Sequence, residues 1–195
     1  PIHPTPVIGM IGLIDNLEHI VNQSWKNSGD SVWLIGLPLQ LMKKNDSRIS
    51  LGGSIYLETI FNQQTGSPPS IDLELEKDLQ LLVRQLIKNQ IISSAHDISD
   101  GGLITTLAES SISSGLGIDI NLPLTEIRLD NLLFGEGGGR IIVSVANEKL
   151  SDWKNFINQF SENSKTNISF INIGFVNQTK KFVIQYDDNE IITIS

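Results

Sequence analysis

Short apolar runs bounded by Gly, Pro, Asn and Asp alternate along this chain with stripes of apolar residues at helical spacing, the first predicting strands and the second helices. Residues 7–14 read Val-Ile-Gly-Met-Ile-Gly-Leu-Ile and predict a strand buried on both faces. A second strand is predicted over residues 31–37, ended by Pro38. Residues 39–50 are polar and irregular, and Gly52-Gly53 opens a short helix with Ile55, Tyr56, Thr59 and Ile60 on its periodic positions. Leu75, Leu79, Leu82, Val83, Leu86 and Ile87 make the strongest helical stripe, a face for packing on a sheet, with Asp72 as its N-cap. Ile91 and Ile92 then lead into Ala95-His96-Asp97-Ile98-Ser99-Asp100-Gly101-Gly102-Leu103. Ile104, Leu107 and Ala108 follow at helical spacing up to Gly115, a natural left-handed cap.

Beyond Gly115 the pattern predicts strands over 117–122 and 141–145, with a short helix over 127–134 between them. An amphipathic helix over 148–160 carries Leu150, Trp153, Phe156, Ile157 and Phe160. Strands over 168–176, 181–186 and 191–194 close the chain, the last two as a hairpin through Asp187-Asp188-Asn189. Strand and helix alternate and the ending is antiparallel. The fold class is therefore α/β, a mixed β-sheet flanked by helices.

The turn between Ala95 and Leu103 is the candidate site. It joins a buried strand to a helix at the strand's carboxyl end, where α/β sheets bind ligands. Its glycines admit a ligand close to the backbone, and the new helix directs N–H groups and a partial positive charge at it. Ser99, Asp100, Gly101 and Gly102 are thus candidate phosphate- or nucleotide-binding residues. Asp97 and Asp100 would repel a bare phosphate, and a divalent cation between carboxylate and phosphate oxygens reconciles the two, with Asp97 as metal ligand and magnesium nucleotide as the ligand class. The structural alternative has Asp100 as the N-cap of the helix and Asp97 closing an Asx turn. His96, with no second His and no Cys nearby, reads as a packed, hydrogen-bonded histidine.

A second glycine cluster, Gly135-Glu136-Gly137-Gly138-Gly139-Arg140, precedes a strand, so it is not a dinucleotide-binding fingerprint. Close backbone approach or an anion nest explains its entropic cost, which makes Glu136, Gly137 and Gly138 further candidates. Glu136 and Arg140 either contact a ligand or pair with each other at the surface.

Composition narrows the partners. A net charge of −8 offers no positive footprint for nucleic acid or an anionic membrane, so neither is expected as a partner. The absence of Cys removes disulfides, thiolate metal sites and a thiol nucleophile, and fits a reducing cytoplasm. The apolar run over 7–14 is far shorter than a membrane span. A chain that opens on Pro1 rather than Met reads as a piece of a longer polypeptide.

Three segments carry a family resemblance: Pro4-Thr5-Pro6-Val7-Ile8-Gly9-Met10-Ile11-Gly12, the His96 to Leu103 turn, and Leu133-Phe134-Gly135-Glu136 running into Arg140-Ile141-Ile142-Val143-Ser144-Val145. Together they resemble the carboxy-terminal part of the large synthetase subunit of phosphoribosylformylglycinamidine synthase, of the small, separate-subunit type. The turn alone is similar to turns in aminoimidazole ribonucleotide (AIR) synthetase, selenophosphate synthetase and thiamine monophosphate kinase, so a sibling enzyme stays open, as does a non-catalytic interaction module. The resemblance implies an AIR synthase C-terminal-domain-like fold over 27–195, entered through residues 1–26 as an extended strand and linker from an ATP-binding-type domain. It implies an ATP-dependent ligase of purine biosynthesis that converts formylglycinamide ribonucleotide and glutamine-derived ammonia to formylglycinamidine ribonucleotide. Mg2+ and ATP or ADP are the implied cofactors. The implied partners are the rest of the synthetase subunit, a glutaminase subunit and a small accessory subunit. The family's glycine-asparagine-x-serine segment and catalytic histidine lie upstream of Pro4, so no catalytic residue is assigned here and this piece alone is expected to be inactive. By analogy between the family's two halves, Asp97 stands at a magnesium-binding aspartate. Glu136-Gly137-Gly138 stands where a Glu-Ser-Gln contacts ribonucleotide, and here the Ser and Gln side-chain donors are missing. The family's second half is associated with a structural, non-reacting nucleotide, a role in stability for Asp97 and Asp100.

Overall fold

A computed structural model describes residues 7–195. The Pro4-Thr5-Pro6 motif lies outside the described residues. The elements run β1 (Ser31–Gly36), α1 (Ile55–Phe61), α2 (Leu73–Lys88), β2 (Ser94–Asp97), α3 (Gly102–Ser114), β3 (Gly117–Leu122), α4 (Leu129–Phe134), β4 (Arg140–Val145), α5 (Leu150–Asn163), β5 (Ser169–Asn177), β6 (Phe182–Tyr186) and β7 (Asn189–Ile194). Seven strands form one sheet in the order β2-β4-β1-β5-β3-β6-β7. Every neighbouring pair is antiparallel except β3 with β6, so the sheet is mixed, as its pattern predicts.

β1 lies inside the sheet because Ser-Val-Trp-Leu-Ile-Gly offers apolar side chains to both faces. On one face, His96 of β2 hydrogen-bonds to α3 at Thr106 O and Ser110 Oγ. On the other, Trp33 of β1 meets Trp153 of α5 with ring centroids 5.1 Å apart, and Phe170 of β5 stands edge-on to Trp153. α2 joins that second layer: Asp78 accepts a 2.7 Å hydrogen bond from Thr166, just past α5. Leu75, Leu79, Leu82 and Leu86 of α2 are buried, and Asp72 Oδ1 accepts from Leu75 N–H at 3.1 Å, so both the stripe and its cap form as the spacing predicts. The packed body reaches back before residue 27. Trp25 is in the core and donates to Ser111 Oγ, while Asn22 O accepts from Ala95 N–H.

Two sequence expectations need correction. Residues 7–14 form no strand, and Val7, Ile8, Met10, Ile11 and Leu13 are exposed. An apolar run becomes a strand only where a neighbouring strand takes its N–H and C=O groups, and both edges of this sheet lie elsewhere. Nor is the strand before the candidate turn an interior one: β2 is four residues long, pairs with β4 alone and forms a sheet edge. Ile91 and Ile92 are buried as loop residues ahead of it.

Candidate functional site

Two consecutive left-handed glycines shape the turn after β2. Gly101 (φ 75°) is the N-cap of α3, and Gly102 (φ 72°) begins the helix. A Cβ on Gly102 would come within 2.8 Å of Phe134 Cα, and one on Gly101 within 2.3 Å of Thr105 Oγ1. The loop after α4 therefore lies directly against the start of α3. That contact delivers Glu136 to the turn. Glu136 Oε1 accepts the N–H of Gly101 at 2.8 Å and the N–H of Ile55, the first residue of α1, at 2.9 Å. A two-way backbone bridge, Ser50 N–H to Glu136 O at 3.1 Å and Glu136 N–H to Ser50 O at 2.9 Å, fixes the loop in place.

This arrangement replaces the sequence expectation for Asp100. Asp100 is not the N-cap, since the glycine pair carries it outside the first turn, and the capping carboxylate comes from Glu136. Asp97, Ser99 and Asp100 are exposed. No hydrogen bond or ion pair engages the Asp97 or Asp100 carboxylate among the described residues, so Asp97 closes no Asx turn. Carboxylate oxygens free toward solvent match the hard-oxygen chemistry of Mg2+, which takes one or two carboxylates and fills its shell with phosphate and water. Among the described residues no three His, Cys, Asp or Glu side chains cluster as a metal group, so a cation here would need ligand oxygens to complete its shell.

Glu136 and Arg140 do not pair at the surface. Arg140 is 2% exposed, and its Nη2 donates to Gly135 O at 2.7 Å, the carbonyl just before Glu136. Its Nε and Nη1 have no partner among the described residues. Burial pulls its pKa down to about 10. Gly137 and Gly138 meet protein where a ligand nest was one expectation: a Cβ on Gly137 would reach 2.2 Å from Arg48 O, and one on Gly138 would reach 2.1 Å from Glu76 Oε1. The cavity beside Gly138 and Gly139 is about 10 Å3, too small for a phosphate. His96 is the packed histidine expected, with its Nε2 3.3 Å from Glu109.

A cavity of about 580 Å3 lined by Ser50, Gly52, Tyr56, Phe61, Arg128 and Asn131 lies on the Ser50 side of the Glu136 bridge, and none of the predicted site residues lines it. Tyr56 stacks on Phe134 at 4.4 Å. A larger cavity, about 860 Å3, lies between α2 and α5 and touches none of the predicted site residues. Sequence reasoning missed the contribution of α1 and Ser50, which only the tertiary fold brings to Glu136. The burial of Arg140 had a signal, because Arg140 heads the run Ile-Ile-Val-Ser-Val of a strand interior to the sheet.

A mixed sheet with helices on both faces and a glycine turn at a strand end defines the class, and residues 27–186 match the family model "AIR synthase related protein, C-terminal domain". The chain belongs to that family. Over 195 residues it is 49% identical to the phosphoribosylformylglycinamidine synthase subunit PurL of a strain of Prochlorococcus marinus, covering all of this chain and 25% of that protein. The chain thus spans about a quarter of the length of such curated relatives. Its fold is also that of T. maritima PurL complexed with FGAR, with TM-score 0.68, 15% identity, and 91% of this chain and 29% of that one covered. T. maritima PurL complexed with ATP matches with TM-score 0.63, 15% identity, and 91% and 27% coverage.

Proposed function

We propose that this chain is the carboxy-terminal domain of the synthetase subunit of phosphoribosylformylglycinamidine synthase, the ATP-dependent ligase that turns formylglycinamide ribonucleotide and glutamine-derived ammonia into formylglycinamidine ribonucleotide. The identity to PurL along the whole chain supports this reading, as do folds shared with PurL proteins named as complexes with FGAR and ATP. Residues 1–26 lead in from a preceding ATP-binding-type domain, and the exposed apolar side chains of 7–14 pack on it. The rest of the subunit, a glutaminase subunit and a small accessory subunit are the partners, in the cytoplasm.

Within that assembly the domain's part is to hold magnesium nucleotide at the turn from Asp97 to Gly102. The single observation that carries this is the pair of exposed, unengaged carboxylates at the turn into α3, where the Gly101 N–H already binds one carboxylate oxygen and the Gly102 N–H donates to Ser99 O. Asp97 and Asp100 would hold Mg2+, whose charge would offset the repulsion between their carboxylates and a phosphate. Isothermal titration of the full-length subunit with Mg-ADP tests the reading. Asp97→Asn weakens binding by about tenfold, the worth of one charge-assisted contact. Equal affinity for the parent and Asp97→Asn overturns it.

A further inference from the structure

The corner contains an anion already, and that anion is part of the protein. Glu136 Oε1 sits 2.8 and 2.9 Å from two backbone N–H groups, at the start of a thirteen-residue helix and at the first residue of a shorter one. Converging amides at a helix start are what a phosphate oxygen seeks. A ligand phosphate and the Glu136 carboxylate cannot accept the same two N–H bonds at once.

A second, independent observation lies beneath. Arg140 is buried with two of its three guanidinium nitrogens unpartnered among the described residues, and the third grips the carbonyl of the residue before Glu136. A buried cation without a counter-charge is costly, so it favours any carboxylate that reaches it. Glu136 is one peptide away from the atom Arg140 already holds, and with its backbone fixed by the Ser50 bridge a move toward Arg140 is a rotation of the Glu136 side chain.

We propose that Glu136 is a displaceable placeholder: it fills the amide cradle at Gly101 and Ile55 until a phosphate oxygen takes its position, and the released carboxylate then pairs with Arg140. Both sides of the exchange are compensated, because the amides keep an anion and Arg140 gains one. The inference rests on reading the turn as a phosphate site, and it adds an internal competitor that sets the affinity.

The test is calorimetric titration of the full-length subunit with Mg-ADP, inorganic phosphate with Mg2+, and adenosine as a control without phosphate. Glu136→Ala, with its fold checked by circular dichroism, binds Mg-ADP and phosphate about tenfold more tightly, while adenosine affinity is unchanged. Glu136→Gln, which keeps the acceptor and loses the charge, gives a smaller gain of the same sign and serves if the alanine variant does not fold. Arg140→Met weakens Mg-ADP binding in the Glu136 background but not in Glu136→Ala, a coupling that a merely structural Arg140 does not show. Unchanged or weaker Mg-ADP binding in both folded Glu136 variants overturns the placeholder. If Asp97→Asn still weakens binding in that case, the phosphate site stands and the placeholder alone falls. If neither the parent nor any variant binds Mg-ADP, both readings fall.

Discussion

The carboxylate of Glu136 and the amide of Gly101 meet at 2.8 Å across 35 residues of sequence, and this contact ties the loop after α4 to the start of α3. It depends on Gly101 and Gly102 holding left-handed backbone, with Phe134 packed where a side chain would go. Gly102→Ala forces backbone against backbone. It should lower stability by about 3 kcal/mol, the scale of a strained φ added to a core clash, as read by chemical denaturation. Gly101→Ala meets the Thr105 side chain, whose Cβ at 2.8 Å does not move on side-chain rotation, and should cost about 1–3 kcal/mol.

Trp153 is the largest fully buried side chain and is wedged between Trp33 and Phe170. Trp153→Ala should destabilise the fold by about 3–5 kcal/mol, since the lost contacts leave a cavity between α5 and the sheet. Trp153→Phe should recover more than half of that loss. Equal effects of the two substitutions would show that the ring does not pack as described.

Asp30 supplies a pH signature. It is 3% exposed, and burial raises its pKa above the usual carboxylate value, with the nearby Glu148 charge acting in the same direction. A raised folded pKa means that the native state holds the proton over a range where the unfolded chain has lost it. Stability from this group is therefore present at low pH and falls as pH rises from about 4 through the folded pKa. Asp30→Asn should raise the melting temperature at pH 7 and leave little difference near pH 3.5. A gap that widens on acidification would reverse the assignment.

Val7, Ile8, Met10 and Ile11 are almost fully exposed. Replacing Val7, Ile8, Met10 and Ile11 with Ser should leave the unfolding free energy of this chain within about 0.5 kcal/mol, the usual range for exposed sites. On the proposal that the segment packs on a preceding domain, the same changes should lower the melting temperature of the full-length subunit.

Elements whose pattern is local were legible in the sequence. The strand over 117–122 has the bounds predicted from its alternation and Pro123, and α2 follows from its leucines and Asp72. What escaped was set at a distance. Asp100 has good N-cap chemistry, but two left-handed glycines put it on the wrong side of the helix start, and a glutamate from another loop caps instead. Residues 7–14 have strand chemistry without a strand beside them. In the glycine cluster the composition announced close approach, yet only the tertiary fold brings Arg48 and Glu76 to it. Local propensity names what a segment can become, and the neighbours available to it decide whether it does.

The position of β1 bears on how the chain reaches its native state. Both strands that flank it, β4 and β5, come from the last third of the sequence. During synthesis β1 must wait, apolar and unpaired, until β4 and then β5 have been made. Such long-range closure is slow and exposes the nascent chain to aggregation, so productive yield should depend on chaperones and on growth temperature more than the finished domain's stability would indicate.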